Sequence, residues 1–465
     1  MERKTDAVVL GGGISGLTSA FLLALSGVDV VVMEASERPG GCITTWSKDG
    51  WLFELGPNTV LNNAHEIDCL CTMTGVLEDR IGSPRTGKIR YIAKKGRLVR
   101  LPGGPLSFLT TPLFSFPSKL GHLREPFIKP APPDREETIA EFTQRRLGGD
   151  LLNYAVGPFV SGVYAGDPAR LSVKHATGKI YNLEQQHGSL IRGAFAKKKG
   201  PAPAGGLFTF RKGLASLPDA LAGALGNGYL GGTQALSVQR DDGGYIVEAQ
   251  QDGTRWAVHA RAVISALPAV PASNVFKPMD SGFSGTIRKL PYANVATVCL
   301  GVKRSDVAHS LEGFGFLVPE VERRHILGCL FTSSLFPGRA PEGFAALTIY
   351  LGGAMHPERV EDEDTVVLEK TLNDLQTFIG YKGEPVIARV ERWRPAIPQY
   401  NMGHGLFKES AAGVETANPG VFISGNLLNG VSVGYCIQNG WDVGRRAAEY
   451  LGVRSFPSAV PARGS

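Results

Sequence analysis

The opening of the chain carries the pattern that most limits what the chain can fold into. Residues 7–10 form a short apolar run, and residues 11–16, GGGISG, place glycines at G-x-G-x-x-G spacing. Apolar residues then recur at helical spacing over residues 17–25, and a second apolar run over residues 28–33 ends on Glu34. The spacing predicts a strand, a helix and a second strand within about 30 residues, which is typical of a dinucleotide-binding α/β domain.

The residue types in this unit suit the binding of a dinucleotide. Gly11 permits a sharp turn from strand to helix, Gly13 lets the backbone approach a pyrophosphate, and Gly16 lets the helix pack closely on the strand. The helix N-terminus stabilises the phosphates. Glu34 accepts hydrogen bonds from ribose hydroxyls and favours an unphosphorylated ribose, as in FAD or NAD. The predicted cofactor contacts of this unit are Gly11, Gly12, Gly13, Ile14, Ser15, Gly16, Glu34 and Ala35.

The next segment favours FAD over NAD. Residues 38–45, RPGGCITT, resemble the R-x-G-G-x-x-x-T extension of large FAD-dependent oxidoreductases. A double glycine at this place lets the chain pass close to the flavin half of the dinucleotide. Gly41 and Cys42 are therefore predicted FAD contacts. Cys42 stands where such enzymes usually carry an arginine, so a phosphate contact from that side chain is missing.

The far end of the chain predicts a second flavin-contacting segment. Residues 420–426 indicate a strand and a turn, and residues 430–435 lead into a helix from about 436 to 451. The N-terminus of that helix would stabilise negative charge on the pyrimidine ring of a reduced flavin. Between the two ends, strands are predicted over residues 245–249, 256–260 and 261–266, and Val238 is a candidate backbone contact to adenine. The FAD domain is therefore expected to be discontinuous.

Composition and charge exclude several classes of function. The 49 basic and 43 acidic residues give a net charge of +6, which fits an anionic substrate or membrane surface and equally an ordinary globular protein. No dense basic run alternates with aromatic residues, so we expect no nucleic-acid binding. The six cysteines make no disulfide framework and have no zinc spacing. We expect no signal peptide, and no apolar stretch reaches the ~18 residues of a membrane-spanning helix.

Several longer stretches give the chain a resemblance to the protoporphyrinogen oxidase family, within the flavin monoamine-oxidase-like superfamily. They are FELGPN from residue 53, YAGD from 164, LSV from 171, GFGFLVP from 313 and IPQYNMGH from 397. The resemblance implies non-covalent FAD and the six-electron oxidation of protoporphyrinogen IX to protoporphyrin IX in haem biosynthesis, with O₂ reduced to H₂O₂. Three alternatives stay open: oxidation of coproporphyrinogen III to coproporphyrin III, an amine oxidase or carotenoid desaturase of the same superfamily, and a flavin-bearing assembly subunit without activity.

The resemblance also implies roles for single residues. Arg90 matches the arginine that binds substrate propionates, while Leu317, Leu330 and Tyr350 match the positions that sandwich the macrocycle. Tyr350 stands where plant-like members have Phe. Asn58 should lie near flavin N5 and orient the macrocycle, so Arg90 and Asn58 are the predicted catalytic residues. No acid–base pair and no metal are expected, because a ring methylene gives hydride to the flavin. Further predicted FAD contacts are Gly56, Pro57, Asn58, Thr59, Val238, Trp393, Gly425, Asn426, Val431, Ser432 and Val433.

The predicted architecture is α/β with three parts. They are a Rossmann-like FAD domain (residues 1–89, 207–282 and 396–452), a mixed-sheet α+β substrate domain (283–395) and a helical, membrane-associating insertion with the substrate entrance (90–206). In the insertion, Phe108, Leu109, Leu113, Phe114 and Phe116 are candidates for a membrane interface. Residues 137–147, with Asp134 as start signal, and 151–156 are predicted helices.

Two further stretches are predicted to lack regular structure, namely a mobile linker over residues 197–206 and a flexible tail over 453–465. The resemblance implies a cytoplasmic protein bound peripherally to the inner face of a membrane, with a porphyrinogen and O₂ as partners. It leaves room for a homodimer and for hand-over of the product to the next enzyme of a haem or chlorophyll pathway.

Overall fold

The computed structural model describes residues 2–196 and 206–458. Its first sheet has seven strands and is built around Glu2–Leu10, which pairs in parallel with Val30–Met33 on one side and Thr254–Ser265 on the other. The strands of the first sheet are Glu2–Leu10, Val30–Met33, Tyr229–Leu230, Thr233–Asp241, Gly244–Gln251, Thr254–Ser265 and Val421–Ile423. The sheet is therefore discontinuous in sequence, as the strand pattern predicts.

Helices bury the central strands of the first sheet, which explains why those strands are apolar without alternation. On one face, the helices Ile14–Leu25 and Val433–Tyr450 pack together in one core. Ser15 Oγ donates to the Cys436 carbonyl at 2.9 Å, so the two ends of the chain are joined. The helices of this part are Ile14–Leu25, His65–Met73, Ser216–Leu225, Ala269–Phe276, Ser281–Ile287, Gly405–Ala417 and Val433–Tyr450.

The second sheet is mixed and also has seven strands. Across the sheet they are Ile387–Pro398, Tyr292–Lys303, Phe344–Gly352, Ile326–Leu330, Gly315–Leu317, Arg90–Lys94 and Arg97–Arg100. One face packs on the helix Asp364–Ile379 through a core that includes Val298, Phe316 and Ile349. The short helix Thr332–Leu335 lies between two of its strands in sequence. Two small sheets complete the strands, Thr45–Lys48 with Trp51–Glu54, and Val60–Leu61 with Leu207–Phe210 and Arg80–Gly82.

The helical segment starts later than the sequence predicts. Residues 90–100 form two strands of the second sheet, and the first helix begins at Pro105. The helices are Pro105–Thr110, Phe116–Gly121, Ile139–Leu147, Gly149–Leu151, Gly157–Tyr164, Val173–Ala176, Gly178–His187 and Leu190–Ala196. The predicted helix over residues 151–156 is a π-helical turn, Leu152–Val156.

Asp134 is not the start signal of the helix that follows it. That helix begins at Ile139, after Thr138, whose hydroxyl accepts from the Glu141 amide at 3.1 Å while the Glu141 carboxylate accepts from the Thr138 amide at 2.9 Å. Such reciprocal capping satisfies two free amides and outweighs a single acidic residue upstream.

The remaining expectations concern strands, linkers and the tail. Residues 256–266 are predicted as two strands; residues 256–265 belong to the single strand Thr254–Ser265, and Ala266 follows it. Residues 197–205 and 459–465 lie outside the described residues, so most of the predicted linker and half of the predicted tail do too. The tail begins with ordered residues, because Val453 and Phe456 pack on the first core. Among the described helices, none is long and apolar enough to cross a membrane.

Candidate active site

The turn after the first strand has the shape that a pyrophosphate requires. Gly11 has φ +100°, in the left-handed region that favours glycine. A Cβ on Gly16 would lie 2.1 Å from the Gly11 carbonyl oxygen, so only glycine lets the helix pack this closely. A Cβ on Gly13 would meet nothing within 4 Å, and Gly13 caps the helix Ile14–Leu25 without a side-chain hydrogen bond. The helix start is therefore open to an anionic ligand.

Glu34 is fixed at the end of the second strand. One carboxylate oxygen accepts from the Gly12 amide at 2.6 Å, and the other accepts from the Ser36 amide at 2.9 Å and the Ser36 hydroxyl at 2.8 Å. The carboxylate keeps further acceptor capacity on its half-buried side. This geometry fits the hydrogen bonding of ribose hydroxyls, and Ala35 lies exposed beside it.

The double-glycine loop lies against the same turn. Gly40 donates its amide to the Gly12 carbonyl at 2.8 Å, and a Cβ on Gly41 would lie 3.5 Å from the Gly13 Cα. Arg38 holds the loop by donating to the Gly41 carbonyl at 2.8 Å. Cys42 is exposed beside this loop. Two loops with backbone amides at one edge make a cradle long enough for a dinucleotide rather than a single phosphate.

The C-terminal segment closes the other end of the cradle. Ser432 caps the helix Val433–Tyr450 by accepting from the Tyr435 amide at 3.3 Å. Asn439 accepts from the Gly425 amide at 2.7 Å, and Tyr400 donates to the Asn426 carbonyl at 2.5 Å. Asn439 and Tyr400 are supporting residues that no sequence pattern indicates. Only their place in the fold identifies them, since neither lies at a recognisable spacing from the glycine motifs.

The residues of the cradle fit FAD in charge and in space. Four features lie along one edge of the first sheet: Gly13, the uncapped start of the helix Ile14–Leu25, the fixed carboxylate of Glu34 and the N-terminus of the helix Val433–Tyr450. Trp393 donates its indole N–H to the Leu55 carbonyl at 2.8 Å, next to the predicted contacts Gly56, Pro57 and Thr59. Val238 lies in the strand Thr233–Asp241, with its side chain buried opposite Val247. Its backbone contact to adenine stays a prediction, as do the other single contacts.

The register of the second sheet gathers the predicted substrate residues on one face. Arg90 pairs with Gly315 and Gly315 with Leu330, so these residues point the same way, as does Leu317 two residues on. Tyr350 faces the same side because it pairs with Gly328, which pairs with Leu317. Arg90, Leu317, Leu330 and Tyr350 therefore share one face, although they come from four different strands.

The helix Gly157–Tyr164 lies across this face. A Cβ on Gly162 would lie 2.7 Å from Leu317 Cδ2, which shows how closely the two elements approach. Phe159 and Val163 of the same helix are exposed, at 46% and 39%. Phe159 and Val163 therefore add exposed apolar surface to the helix that covers Leu317.

Arg90 brings the positive charge to the edge of this face. It is exposed, and its guanidinium carbon lies 5.2 Å from the centre of the Phe314 ring. Among the described residues, no carboxylate pairs with it. An unpaired arginine over an aromatic ring can bind a carboxylate with two parallel hydrogen bonds.

Asn58 connects the cradle to the second sheet. It is 8% exposed, and its Nδ2 donates to the Tyr350 hydroxyl at 2.6 Å. The Tyr350 hydroxyl donates in turn to the Gly56 carbonyl at 3.2 Å. Burial raises the pKa of Tyr350 above its ordinary value, so the phenol stays protonated. The structure thus brings Asn58 and Tyr350 together, as predicted for a shared site, but through a hydrogen bond that the sequence does not predict.

A buried charged pair behind the same loop was also missed. Glu54 lies in the strand before Gly56, accepts from Thr45 Oγ1 at 2.7 Å and the Leu214 amide at 2.8 Å, and lies 3.9 Å from Arg339 Nη2. Burial raises the pKa of Glu54 to about 7. The glutamate within FELGPN was the available signal. Among the described residues, no group of histidine, cysteine and acidic side chains could hold a metal.

Comparison with known proteins assigns the family. The chain matches the flavin containing amine oxidoreductase family over residues 14–451. It is 32% identical to the chloroplastic protoporphyrinogen oxidase of Nicotiana tabacum, covering 96% of this chain and 86% of that protein. It is 29% identical to the coproporphyrinogen III oxidase of Bacillus subtilis (strain 168), covering 97% and 99%.

A solved structure shows the same fold. It is that of a protein from Exiguobacterium sp. 255-15 named as a candidate protoporphyrinogen oxidase, with a TM-score of 0.81 at 24% identity, covering 97% of this chain and 99% of that one. The chain belongs to the flavin-containing amine oxidoreductase family, and its cofactor is FAD.

Proposed function

We propose that this protein is an oxygen-using porphyrinogen oxidase whose preferred substrate is protoporphyrinogen IX. The observation that carries the proposal is the face of the second sheet that carries a free arginine, two leucines and a tyrosine. The tyrosine of this face is hydrogen-bonded to residues 56–59, which carry predicted FAD contacts and are called the FAD loop. A porphyrinogen is a large apolar macrocycle with carboxylates on one side, so it needs an apolar slot with a cation at its edge. The names of the relatives support the same class of substrate.

The residues of the cleft would bind and orient the macrocycle. Arg90 takes a propionate, Leu317 and Leu330 cover a ring face, and Tyr350 completes the sandwich. Asn58 lies between the substrate and the predicted flavin position. FAD, bound without a covalent link, supplies the hydride acceptor and passes electrons to O₂. The protein's own contribution is orientation and exclusion of water from the reacting methylene.

The choice of protoporphyrinogen IX over coproporphyrinogen III rests on charge and similarity. Coproporphyrinogen carries further carboxylates around the ring. The register also turns Lys94 and Arg389 to this face, but Lys94 donates to the Pro112 and Leu113 carbonyls and Arg389 pairs with Glu391. Arg90, which pairs with Gly315 beside Leu330, is exposed and has no carboxylate partner among the described residues. The chain is 32% and 33% identical to two plant protoporphyrinogen oxidases and 29% and 28% identical to two bacterial coproporphyrinogen III oxidases. Both observations favour a substrate with carboxylates on one side only.

Porphyrin fluorescence during aerobic incubation tests the proposal. FAD-loaded protein is mixed with protoporphyrinogen IX, coproporphyrinogen III or a primary amine, and porphyrin emission and H₂O₂ are followed against a protein-free control. We expect emission to rise above the control with both porphyrinogens and faster with protoporphyrinogen IX. A faster rise with coproporphyrinogen III would reassign the substrate. H₂O₂ from the amine alone would replace the proposal by an amine oxidase, and no H₂O₂ from any substrate would replace it by an assembly subunit.

We also propose that the helical segment contacts a membrane surface. Residues 105–127 expose Leu106, Leu109, Phe116, Leu123 and Phe127, with Leu106 78% and Phe127 81% exposed. A patch of this kind supports binding to lipid or to another protein. Leu113 and Phe114, predicted at the same interface, are instead buried against Ile92 and near Leu317. Phe108, predicted there too, is half-buried, with its ring centre 5.3 Å from that of Phe114.

Because Leu113 and Phe114 lie near Leu317, the exposed patch is next to the substrate residues. An apolar substrate could therefore enter from lipid. Co-sedimentation with phospholipid vesicles tests this. The wild-type protein should pellet with the vesicles, and the Leu106→Ser/Phe127→Ser variant should stay in the supernatant. Equal pelleting of both would contradict a role of this patch, and dimerisation through it would show as a change of mass in the variant.

A further inference from the structure

The Tyr350 hydroxyl fixes the direction of the Asn58 amide. A carbonyl oxygen only accepts, so the phenol must donate its one proton to Gly56 O, at 3.2 Å. The phenol oxygen can then only accept from Asn58, and the amide must turn its Nδ2 toward it, at 2.6 Å. Without that hydroxyl, the nitrogen and oxygen of the Asn58 amide could exchange places by rotation.

The orientation leaves Asn58 Oδ1 as a free acceptor. Among the described residues, no group donates to Oδ1. This oxygen is also not one of the fully buried polar atoms that lack a hydrogen-bond partner. The neighbours of Asn58 are the FAD loop at Gly56 and the face of the second sheet that carries Tyr350. The cleft therefore contains an acceptor of fixed position at the junction between cofactor and substrate.

We propose that the Tyr350 hydroxyl is a positioning group that holds Asn58 Oδ1 toward a pyrrole N–H of the bound macrocycle. The inference rests on the proposed function. All four nitrogens of a porphyrinogen carry N–H donors, which need an acceptor once they leave water. In each of the three oxidations, a C–H bond of a ring methylene breaks and its hydrogen leaves with both electrons to FAD as a carbon–carbon double bond forms. One proton is released to solvent each time: two of the three come from pyrrole nitrogens and the third comes from the remaining methylene. An acceptor on a pyrrole N–H favours the step because positive charge develops on the pyrrole ring.

This gives Tyr350 a second task beside stacking. Its ring lies on the macrocycle face of the sheet, while both hydrogen-bonding positions of its hydroxyl are used, by Gly56 and Asn58. The hydroxyl therefore does not disturb an apolar contact with the substrate. A phenylalanine at this position would stack equally well and would leave the Asn58 amide free to turn.

A double-mutant cycle tests the inference. The variants are Tyr350→Phe, Asn58→Ala and the double variant, with Tyr245→Phe as control. Tyr245 lies in the first sheet and donates its hydroxyl to the Pro419 carbonyl at 2.8 Å. The control therefore loses a comparable hydrogen bond away from the cleft. We expect Tyr350→Phe to lower kcat/KM about five-fold, the value of one hydrogen bond. In the Asn58→Ala background the same substitution should have no further effect.

A second readout does not depend on turnover. The affinity for protoporphyrin IX, followed by quenching of its fluorescence, should fall in Tyr350→Phe and should be the same in Asn58→Ala with or without Tyr350→Phe. Absorption of bound FAD and the melting temperature check that each variant is folded and loaded. Asn58→Ser replaces Asn58→Ala in the cycle if the latter loses FAD.

The outcomes separate the inference from the proposed function. A wild-type protein that oxidises no porphyrinogen overturns the proposed function and the inference together. A wild-type protein that does so, with Tyr350→Phe equally active, overturns the inference alone. Equal losses from Tyr350→Phe in both backgrounds also overturn it, because the tyrosine would then act without Asn58.

Discussion

At the scale of single residues, Glu54 is an ionisable side chain buried behind the FAD loop. The side chain is buried, has two hydrogen-bond donors and lies 3.9 Å from Arg339, which is itself buried. Desolvation outweighs these partners and raises the pKa of Glu54 from 4.5 to about 7. The folded state therefore binds a proton more tightly than the unfolded state between these values. The stability from this group is full below pH 4.5 and is lost as the pH rises to about 7.

Glu54→Gln should remove this pH dependence. The glutamine keeps an acceptor for the Leu214 amide and is neutral at every pH, so the melting temperature of the variant should fall less between pH 4.5 and pH 7 than that of the wild type. Differential scanning calorimetry across this range measures the two slopes. The control is Glu449→Gln, an exposed partner of Arg445 on the C-terminal helix. Parallel slopes for wild type and Glu54→Gln would show that Glu54 ionises normally.

Arg90 is the residue on which substrate affinity should depend most. Because it touches propionates and not the reacting methylene, Arg90→Ala should raise KM roughly ten-fold, with a smaller change in kcat. Arg90→Lys should recover part of the loss, since lysine keeps the charge and lacks the second parallel hydrogen bond. Arg100→Ala, an exposed arginine on the neighbouring strand, is the control. Steady-state kinetics with an unchanged KM in Arg90→Ala would remove Arg90 from the site.

At the scale of the elements, buried ion pairs hold the exposed helical segment. Arg146, in the helix Ile139–Leu147, is fully buried and pairs with the buried carboxylates of Glu125 and Glu184. Glu125 follows the exposed apolar residues and also accepts from Ser189 and two backbone amides. These contacts lower its pKa below the ordinary value despite its burial. The network joins three elements that are far apart in sequence.

Removal of that central arginine should therefore be costly. Arg146→Met leaves two buried carboxylates with fewer partners and should lower the free energy of unfolding of the helical segment by about 3 kcal/mol. Arg445→Met breaks an exposed pair with Glu449 within the helix Val433–Tyr450. This variant should change the free energy of unfolding by less than about 0.5 kcal/mol. Urea denaturation followed by circular dichroism compares the two. Similar losses from both variants would mean that the buried network contributes little.

The elements also show which boundaries the sequence could predict. The first strand and helix are correct because glycine spacing and apolar periodicity are local. The strand Thr254–Ser265 appeared as two because Arg261 interrupts its apolar pattern. The structure exposes Arg261, and the pairing of this strand with Glu2–Leu10 continues on both sides of it, from Ala257 to Ser265. The strands Arg90–Lys94 and Arg97–Arg100 were assigned to the insertion because their partner, Gly315–Leu317, lies over 200 residues away.

At the scale of the whole molecule, the candidate site needs parts that no local pattern connects. The cradle could be predicted, since its glycines and Glu34 follow one another within a single unit. The shared face of Arg90, Leu317, Leu330 and Tyr350 depends on strand register, so the sequence pointed to these residues only through the family resemblance. The Asn58–Tyr350 hydrogen bond spans 292 residues and depends on how the second sheet meets the loop at Gly56.

The contact between the helices Ile14–Leu25 and Val433–Tyr450 joins the two ends of the chain and is a property of the whole fold. A Cβ on Gly440 would lie 2.4 Å from the Ser15 carbonyl oxygen, so Gly440→Ala should separate the helices Ile14–Leu25 and Val433–Tyr450. We expect a loss of about 1–3 kcal/mol and a lower FAD content. Gly223→Ala is the matched control, because a Cβ there meets nothing within 4 Å and alanine favours a helix. FAD released by denaturation, per protein, measures the effect. Full FAD retention in Gly440→Ala would contradict this closure.

Anaerobic mixing of FAD-loaded protein with protoporphyrinogen IX tests the central claim most directly. Without oxygen, electrons from the macrocycle have no destination other than the bound cofactor. The account predicts that the visible absorption band of the flavin bleaches as porphyrin fluorescence appears, and that the band returns when air is admitted. A band that stays unchanged in fully loaded protein, with either porphyrinogen, would contradict the account.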